Sequence, residues 1–382
     1  MIKRLLQEKI NTRFNDNKAI IITGPRQAGK TTLMKEISKD LEKPFIYWNG
    51  DEADIKIMLE NATSSALRNL IGNNKIIFFD EAQRIQNIAL CIKLIVDNIK
   101  DVKVIATGSS SFQLTNIINE PLTGRKWEFM LYPLSFEEMA ANSGINEELR
   151  LLEQRMVYGY YPDVVNNPAQ SKDILKELSG SYLYKDLLLW ENILKPDKLE
   201  KLIQAIAFQI GNEVSFNELS NITGLNNETV ERYIDLLEKT YVIFRLGSFS
   251  RNLRSELKKS RKIYFVDNGI RNAVINNFNP LALRDDTGKL WENWLVSERI
   301  KYIKYHSLYS NQYFWRTYNQ QEIDYIEERD GTMFAYEFKW SKKTKYKFPN
   351  FYSKTYPDSK NKIINRENFI DFITMQNKEH TI

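Results

Sequence analysis

The sequence predicts an α/β fold in which a parallel sheet is followed by a helical stretch and then by a second α/β unit. Three observations carry that prediction. The runs AIIIT, KIIFFD and VKVIATG are short, largely apolar segments, the pattern of strands covered on both faces, as parallel strands are. From about residue 134 to residue 240 apolar residues instead recur three or four apart, which marks amphipathic helices. Further on, EIDYIEERDGTMFAYEFKW at 322–340 reads as two strands around Asp330-Gly331, the dipeptide suited to a two-residue type I′ hairpin.

Length and composition bound the rest. With 382 residues the chain is expected to hold two or three domains. It is 42% hydrophobic and 27% charged, as ordinary globular proteins are, and its net charge of +5 is a mild basic excess that permits a nucleic-acid partner without requiring one. The only cysteine, Cys91, lies on an apolar helical pattern and reads as a buried structural thiol. Two histidines, His306 and His380, make a zinc site or a histidine-based triad an unpromising expectation. The start MIKRLLQEKI lacks the core of a signal peptide and no apolar run has membrane-spanning length, so a cytoplasmic protein with no membrane contact is expected. Catalysis should then rest on carboxylates, lysines and phosphate binding.

The strand AIIIT leads into Gly24, Pro25, Arg26, Gln27, Ala28, Gly29, Lys30, Thr31 and Thr32, and an amphipathic helix follows. That is a P-loop in its proper setting: glycines let backbone N–H groups wrap a phosphate chain at a helix N-terminus, Lys30 neutralises the β and γ phosphates, and Thr31 offers a hydroxyl to Mg²⁺. The strand KIIFFD ends in Asp80 and Glu81; Asp80 would hold the Mg²⁺ shell and Glu81 would orient the attacking water. A third strand, VKVIATG, ends at Ser109, which could sense the γ-phosphate from between the other two or simply form a serine turn. Arg125, in LTGRKWEF, could stabilise the transferring phosphate in cis or from a neighbouring subunit; a solvated surface arginine is the alternative.

These phrases together, GPRQAGKTT, FFDEAQ, ATGSSS, LTGR and LYPLSFEEM, continued by YYPDVV, SYLYKDLL, KIYFVDNGIRNAV and GKLWENWL, resemble the AAA-family ATPases of bacteria and archaea whose C-terminal half is a domain of unknown function. The resemblance covers most of the chain. It implies an ATP-binding, AAA-type P-loop domain, a helical region, and a C-terminal part without an assigned role.

The expected division is 1–133 for the ATPase domain, 134–200 for a helical lid or connector, 201–250 for a winged-helix-like domain and 251–382 for an endonuclease-like α/β C-terminal domain. Three helical patterns followed by YVIFRLGSF give the winged-helix order. Its third helix carries Glu228, Glu231, Asp235 and Glu238 against Arg232 and Lys239, the wrong sign for a phosphate backbone. The run SRNLRSELKKSRK at 250–262 is the better DNA candidate, and a protein partner is the alternative.

In the hairpin, counting outward from the turn sets Asp324 opposite Glu337, with Lys339 on the same face as Glu337. Opposed carboxylates destabilise a ladder unless something neutralises them. Glu292 lies upstream on a helical stripe with Leu295, Val296 and Ile303. The series Glu292, Asp324, Glu337-Phe338-Lys339 has the order seen in restriction-endonuclease-like folds, where the carboxylates hold Mg²⁺ and the lysine polarises water. Neutralisation by Lys339 and neighbouring cations, with no metal, is the competing expectation.

Overall fold

The computed structural model describes residues 1–40, 43–108, 122–182, 196–250, 261–317, 319–342 and 346–375. The chain separates into two units, Met1–Leu134 with Lys239–Tyr241, and Ser135–Glu238 with Val242–Ile382.

In the first unit, strands β1 (Ala19–Thr23), β2 (Phe45–Asn49), β3 (Ile76–Asp80), β4 (Lys103–Gly108) and β5 (Lys126–Met130) form one parallel sheet in the order β2-β3-β4-β1-β5. The apolar runs are central because they are covered on both faces: Ile20, Ile21, Ile22, Ile77, Phe79 and Ile105 are fully buried. The helix Ile88–Asn98 supplies Ile88, Cys91, Ile92 and Ile95 to the core. There Cys91 is unpaired with any other cysteine, and burial pushes its thiol up to about 12, so it is an inert packing residue. Helix α1 (Leu5–Asn11) precedes the sheet, and α2 (Lys30–Asp40) follows β1 directly.

The second unit opens with helix Phe136–Ser143, started by a capping box in which Ser135 and Glu138 satisfy each other's backbone N–H. Helix Pro196–Phe208, strand β6 (Glu213–Val214), helices Phe216–Thr223 and Asn227–Lys239, then strands β7 (Ile243–Ser248) and β8 (Arg261–Phe265) follow in order. Helix Thr287–Tyr305 leads to β9 (Asn311–Arg316), β10 (Glu322–Arg329), β11 (Thr332–Phe338), helix Asn350–Thr355 and β12 (Lys360–Ile364).

The seven strands β6–β12 form one sheet, ordered β12-β11-β10-β9-β7-β8-β6. This differs from the division expected at 250/251, because β7 pairs in parallel with β9 and carries the sheet across that boundary. The expected boundary at 200/201 falls inside the continuous helix Pro196–Phe208.

The long helix Thr287–Tyr305 buries nearly its whole circumference, with Leu290, Trp291, Trp294, Leu295 and Val296 on one side and charged residues packed inward elsewhere. Each buried charge has a partner, as low-dielectric burial requires. Arg299 makes a bidentate pair with Glu327 at 2.6 and 2.9 Å, and Lys301 reaches Glu298 at 2.6 Å. The hairpin turn has Asp330 at φ +48° and Gly331 at φ +75°, and the ladder runs from Arg329 opposite Thr332 to Tyr325 opposite Tyr336. The next step along that register sets Asp324 against Glu337.

Candidate functional site

The phosphate loop begins where β1 ends. Gly24 sits at φ +150°, and a Cβ there would lie 2.1 Å from the Leu131 carbonyl oxygen, so no other residue fits between the loop and the end of β5. Gln27 takes a left-handed conformation at φ +57°, and Gly29 one at φ +96°, after which Lys30 starts α2. Lys30 is buried, its ammonium donating to the carbonyls of Gly24 at 2.9 Å and Pro25 at 2.8 Å. The loop thus holds its own cation at the place where phosphates would be received. Ala28 is buried and Gln27 and Thr32 are exposed.

Arg4, which no motif marks, stands behind the loop. Its guanidinium donates to the Ala28 carbonyl at 2.7 Å and to the Tyr132 carbonyl at 2.6 Å while 7% exposed. The fork geometry of arginine suits two acceptors at once.

Asp80 closes β3 and collects donors from four directions. The Thr31 hydroxyl donates to its Oδ2 at 2.8 Å, the Tyr47 hydroxyl from β2 donates to the same oxygen, the Thr107 hydroxyl from β4 donates to Oδ1, and the Glu81 N–H lies 3.1 Å from Oδ1. Burial and then the bond to Asp80 raise the Tyr47 phenol well above its ordinary value, so it stays a donor. The sheet order explains the convergence: β4 lies between β1 and β3, so Thr107 faces the gap that separates Lys30 from Asp80. Glu81 follows at φ +46°, a strained position for a non-glycine residue, and its carboxylate accepts from the Gln83 amide at 2.6 Å. Gly50 permits that turn, since a Cβ there would stand 2.4 Å from the Glu81 carbonyl oxygen.

Ser109 lies outside the described residues; from β4 it is Thr107 that reaches Asp80. Arg125 corrects the sequence reading. Its carbonyl accepts from Ala19 N–H at the start of β1, and β5 runs parallel to β1, so Arg125 lies at the end of the sheet opposite the phosphate loop. The length of β1, ~13 Å at ~3.3 Å per residue, separates the two ends. There the guanidinium pairs with Asp97 at 2.6 Å. A role in cis on the γ-phosphate does not fit this placement.

The C-terminal acids also gather, around Lys262, which the sequence reading counts in the basic run 250–262 as a DNA contact and which is instead fully buried. Lys262 of β8 is fully buried, and its Nζ lies 2.5 Å from Glu322 Oε1, 3.0 Å from Glu292 Oε1 and 3.9 Å from Asp324 Oδ1. Tyr264 donates to the same Glu292 oxygen at 2.6 Å, and Asp324 Oδ2 accepts from Phe338 N–H at 2.9 Å. Glu337 pairs with Lys339 at 2.6 Å through Oε1, while its Oε2 is buried and meets no hydrogen-bond donor.

Burial raises Glu292 to about 7 against the pull of Lys262; burial and then Asp324 raise Glu337 to about 7. Burial opposes the charge on Lys262, yet Glu292, Asp324 and Glu322 outweigh it and hold the ammonium protonated above its usual range. The neutralisation that opposed carboxylates require is thus supplied by two lysines. Among the described residues no group of three or more His, Cys, Asp or Glu side chains is arranged to hold a metal ion. In this arrangement Glu292 is engaged by the Lys262 ammonium, Asp324 lies 3.9 Å from it, and Glu337 is engaged by Lys339.

Of the basic run 250–262, residues 251–260, including Arg254, Lys258 and Lys259, lie outside the described residues. In the acidic helix Asn227–Lys239, Asp235 and Glu238 are engaged by Arg245 of β7. No helix among the described residues is long and apolar enough to cross a membrane.

Comparison with known proteins agrees with this geometry. Residues 16–140 match an AAA domain, residues 149–281 a domain of unknown function (DUF8612) and residues 287–378 another (DUF4143). An uncharacterized protein of Methanocaldococcus jannaschii is 26% identical across 99% of this chain and 89% of its own length. An uncharacterized protein of Mycobacterium tuberculosis is 25% identical across 84% of this chain and 70% of its own. Among solved structures, a Walker-type ATPase of Pyrococcus abyssi superposes with a TM-score of 0.50 at 14% identity, covering 72% of this chain and 96% of that one, a likeness of fold.

Proposed function

We propose that the chain binds ATP at residues 24–32 and hydrolyses it with Mg²⁺ as the accompanying ion, and that the nucleotide state rearranges the second unit. The observation that carries this reading is that Thr31, next to Lys30 at the start of α2, donates to Asp80 of β3 across the intervening strand β4, while Lys30 is held in the loop by the Gly24 and Pro25 carbonyls. Bound Mg²⁺ would neutralise charge on the β and γ phosphates. Thr31 and Asp80 fit it, being hard oxygen donors already 2.8 Å apart.

Lys30 exchanges the carbonyls of Gly24 and Pro25 for phosphate oxygens, a stronger charge-assisted pairing. Glu81, held by Gln83, orients the attacking water as it leaves that amide. The test is a pair of variants. Lys30→Ala is expected to lose ATP binding or turnover, and Glu81→Gln to keep binding and lose hydrolysis; hydrolysis at the parent rate in Glu81→Gln would remove Glu81 from this role.

For the second unit the order helix, β6, helix, helix, β7, β8 supports a winged-helix scaffold, and the elements carrying Glu292, Asp324 and Glu337-Phe338-Lys339 support a nuclease-like arrangement. The engaged state of the acids argues for a partner-binding module in preference to a metal nuclease. DNA is the partner that the basic run suits. Charge reversal at Arg254, Lys258 and Lys259 should then weaken DNA binding and flatten its salt dependence; unchanged salt slopes would point to a protein partner.

A further inference from the structure

We infer that Tyr47 of β2 is a positioning residue for the Mg²⁺ that accompanies the nucleotide: its hydroxyl keeps the Asp80 carboxylate in place when the Thr31 hydroxyl releases it. The inference rests on the proposed reading of residues 24–32 as an ATP site, and it adds a strand that no motif marks.

The register of β2 on β3 sets Asn49, not Tyr47, beside Asp80. The Asn49 side chain is engaged in the following turn instead, its Oδ1 accepting from the Asp51 N–H at 3.0 Å. Tyr47 lies two residues earlier on the same face of the strand, about 6.6 Å back along it. A serine or threonine hydroxyl would fall short of that offset; the phenol covers it and donates to Asp80 Oδ2. The end of β2 also holds the acid by its backbone, the Gly50 N–H donating to the Asp80 carbonyl at 2.8 Å.

Asp80 Oδ2 accepts the hydroxyls of Thr31 and Tyr47, and Oδ1 accepts the Thr107 hydroxyl and the Glu81 N–H. An ionised carboxylate has about four lone-pair positions. All are engaged, so the carboxylate offers none to a metal or to its water until one donor leaves. Thr31 is the donor placed to leave, because it alone of the four belongs to the element that receives phosphate, and its hydroxyl oxygen suits a hard divalent cation. Tyr47 and Thr107 stay, being fixed on the strands that flank β3. The oxygen that Thr31 vacates is the one Tyr47 still holds, which prevents the carboxylate from swinging away. Tyr47 is 37% exposed, so deleting its hydroxyl tests this bond and leaves the core intact.

The experiment uses the full chain with Tyr47→Phe, with Asp80→Asn and with both. Binding of a fluorescent ADP analogue is titrated in EDTA and then across MgCl₂, bound Mn²⁺ is counted by electron paramagnetic resonance with ADP present, and urea midpoints are taken without nucleotide. In Tyr47→Phe the affinity in EDTA should match the parent, while the MgCl₂ concentration at half-effect and the Kd for Mn²⁺ rise about 10–100-fold, as when a group that orients a metal ligand is lost. With Asp80→Asn already present, adding Tyr47→Phe should change the metal response less than about twofold, since the carboxylate it acts through is gone.

Unchanged metal dependence in Tyr47→Phe would overturn the inference. So would an equal loss of affinity in EDTA and in MgCl₂ with a lowered urea midpoint, the mark of a packing role, or an undiminished effect on the Asp80→Asn background. A parent chain that binds no ADP analogue in MgCl₂ would overturn the nucleotide reading and this inference together; a parent that binds it, matched by Tyr47→Phe at every MgCl₂ concentration, would overturn this inference alone.

Discussion

Replacing Arg4 by alanine should loosen the phosphate loop while leaving the sequence of the loop itself unchanged. The side chain makes two hydrogen bonds to backbone carbonyls, Ala28 at 2.7 Å and Tyr132 at 2.6 Å, and is 7% exposed. Bonds from a charged donor contribute about 1.5–3 kcal/mol each, so the pair contributes about 3–6 kcal/mol. Freeing an arginine side chain returns roughly 2 kcal/mol of rotamer entropy. The net loss of stability is about 1–4 kcal/mol, seen as a lower urea midpoint. The same change releases Ala28 from the end of β5, so the loop must be ordered by the nucleotide itself, and Kd for ATP rises about tenfold for each 1.4 kcal/mol of lost order. Arg4→Lys keeps one donor and should fall between. Titration with a fluorescent ATP analogue beside urea denaturation checks both effects. A variant that loses stability yet binds ATP as the parent does would refute the link between Arg4 and the loop.

Gly24→Ala should abolish nucleotide binding and destabilise by more than about 3 kcal/mol, through strain and overlap with the Leu131 carbonyl; Gly72→Ala, at φ +55° with open space around it, should cost only the backbone strain, about 1–3 kcal/mol, and leave nucleotide binding unchanged. Arg125→Ala should leave ATP turnover unchanged at low protein concentration, and a drop there would restore the role in cis that its place on the sheet denies. Glu292 and Glu337, raised from 4.5 to about 7, bind more protons folded than unfolded, so their contribution to stability is greatest below about pH 4.5 and declines as pH rises through 7. Denaturation midpoints across that range should fall less steeply in Glu337→Gln than in the parent, and an equal slope would exclude Glu337 as a source.

The parts that were legible in the sequence are those whose physics is local. Buried parallel strands are continuous apolar runs, so β1, β3 and β4 could be placed, and the glycine pattern before α2 marks the loop. The hairpin register followed from Asp330-Gly331 alone. Long-range partners were not legible. Arg4 meets Ala28 and Tyr132 only through the fold, and Lys262 reaches Glu292 and Asp324 from positions far away in the chain. Tyr47 and Thr107 each sit on a strand with ordinary strand composition, and only the sheet order aims them at Asp80. For Arg125 the sequence left open a role in cis, a role in trans and a surface arginine, because a strand and its preceding loop do not reveal which end of the sheet they occupy; its place on the sheet removes the role in cis. The boundary at 250/251 failed for a related reason: a change in composition between segments says nothing about whether their strands pair.

That pairing bears on how the chain can be cut. One of the two matched domains of unknown function contributes β6–β8 and the other β9–β12, and they meet at the parallel contact of β7 with β9, Gly247 beside Tyr313 and Ser248 beside Phe314. A fragment ending or starting between residues 281 and 287 would leave β7 and β9 each with an unpaired row of backbone donors and acceptors, a template for joining another chain edge to edge. Such fragments are expected to aggregate or to reassociate with each other when coexpressed. Sequence families drawn on either side of that seam therefore describe two halves of one folding unit.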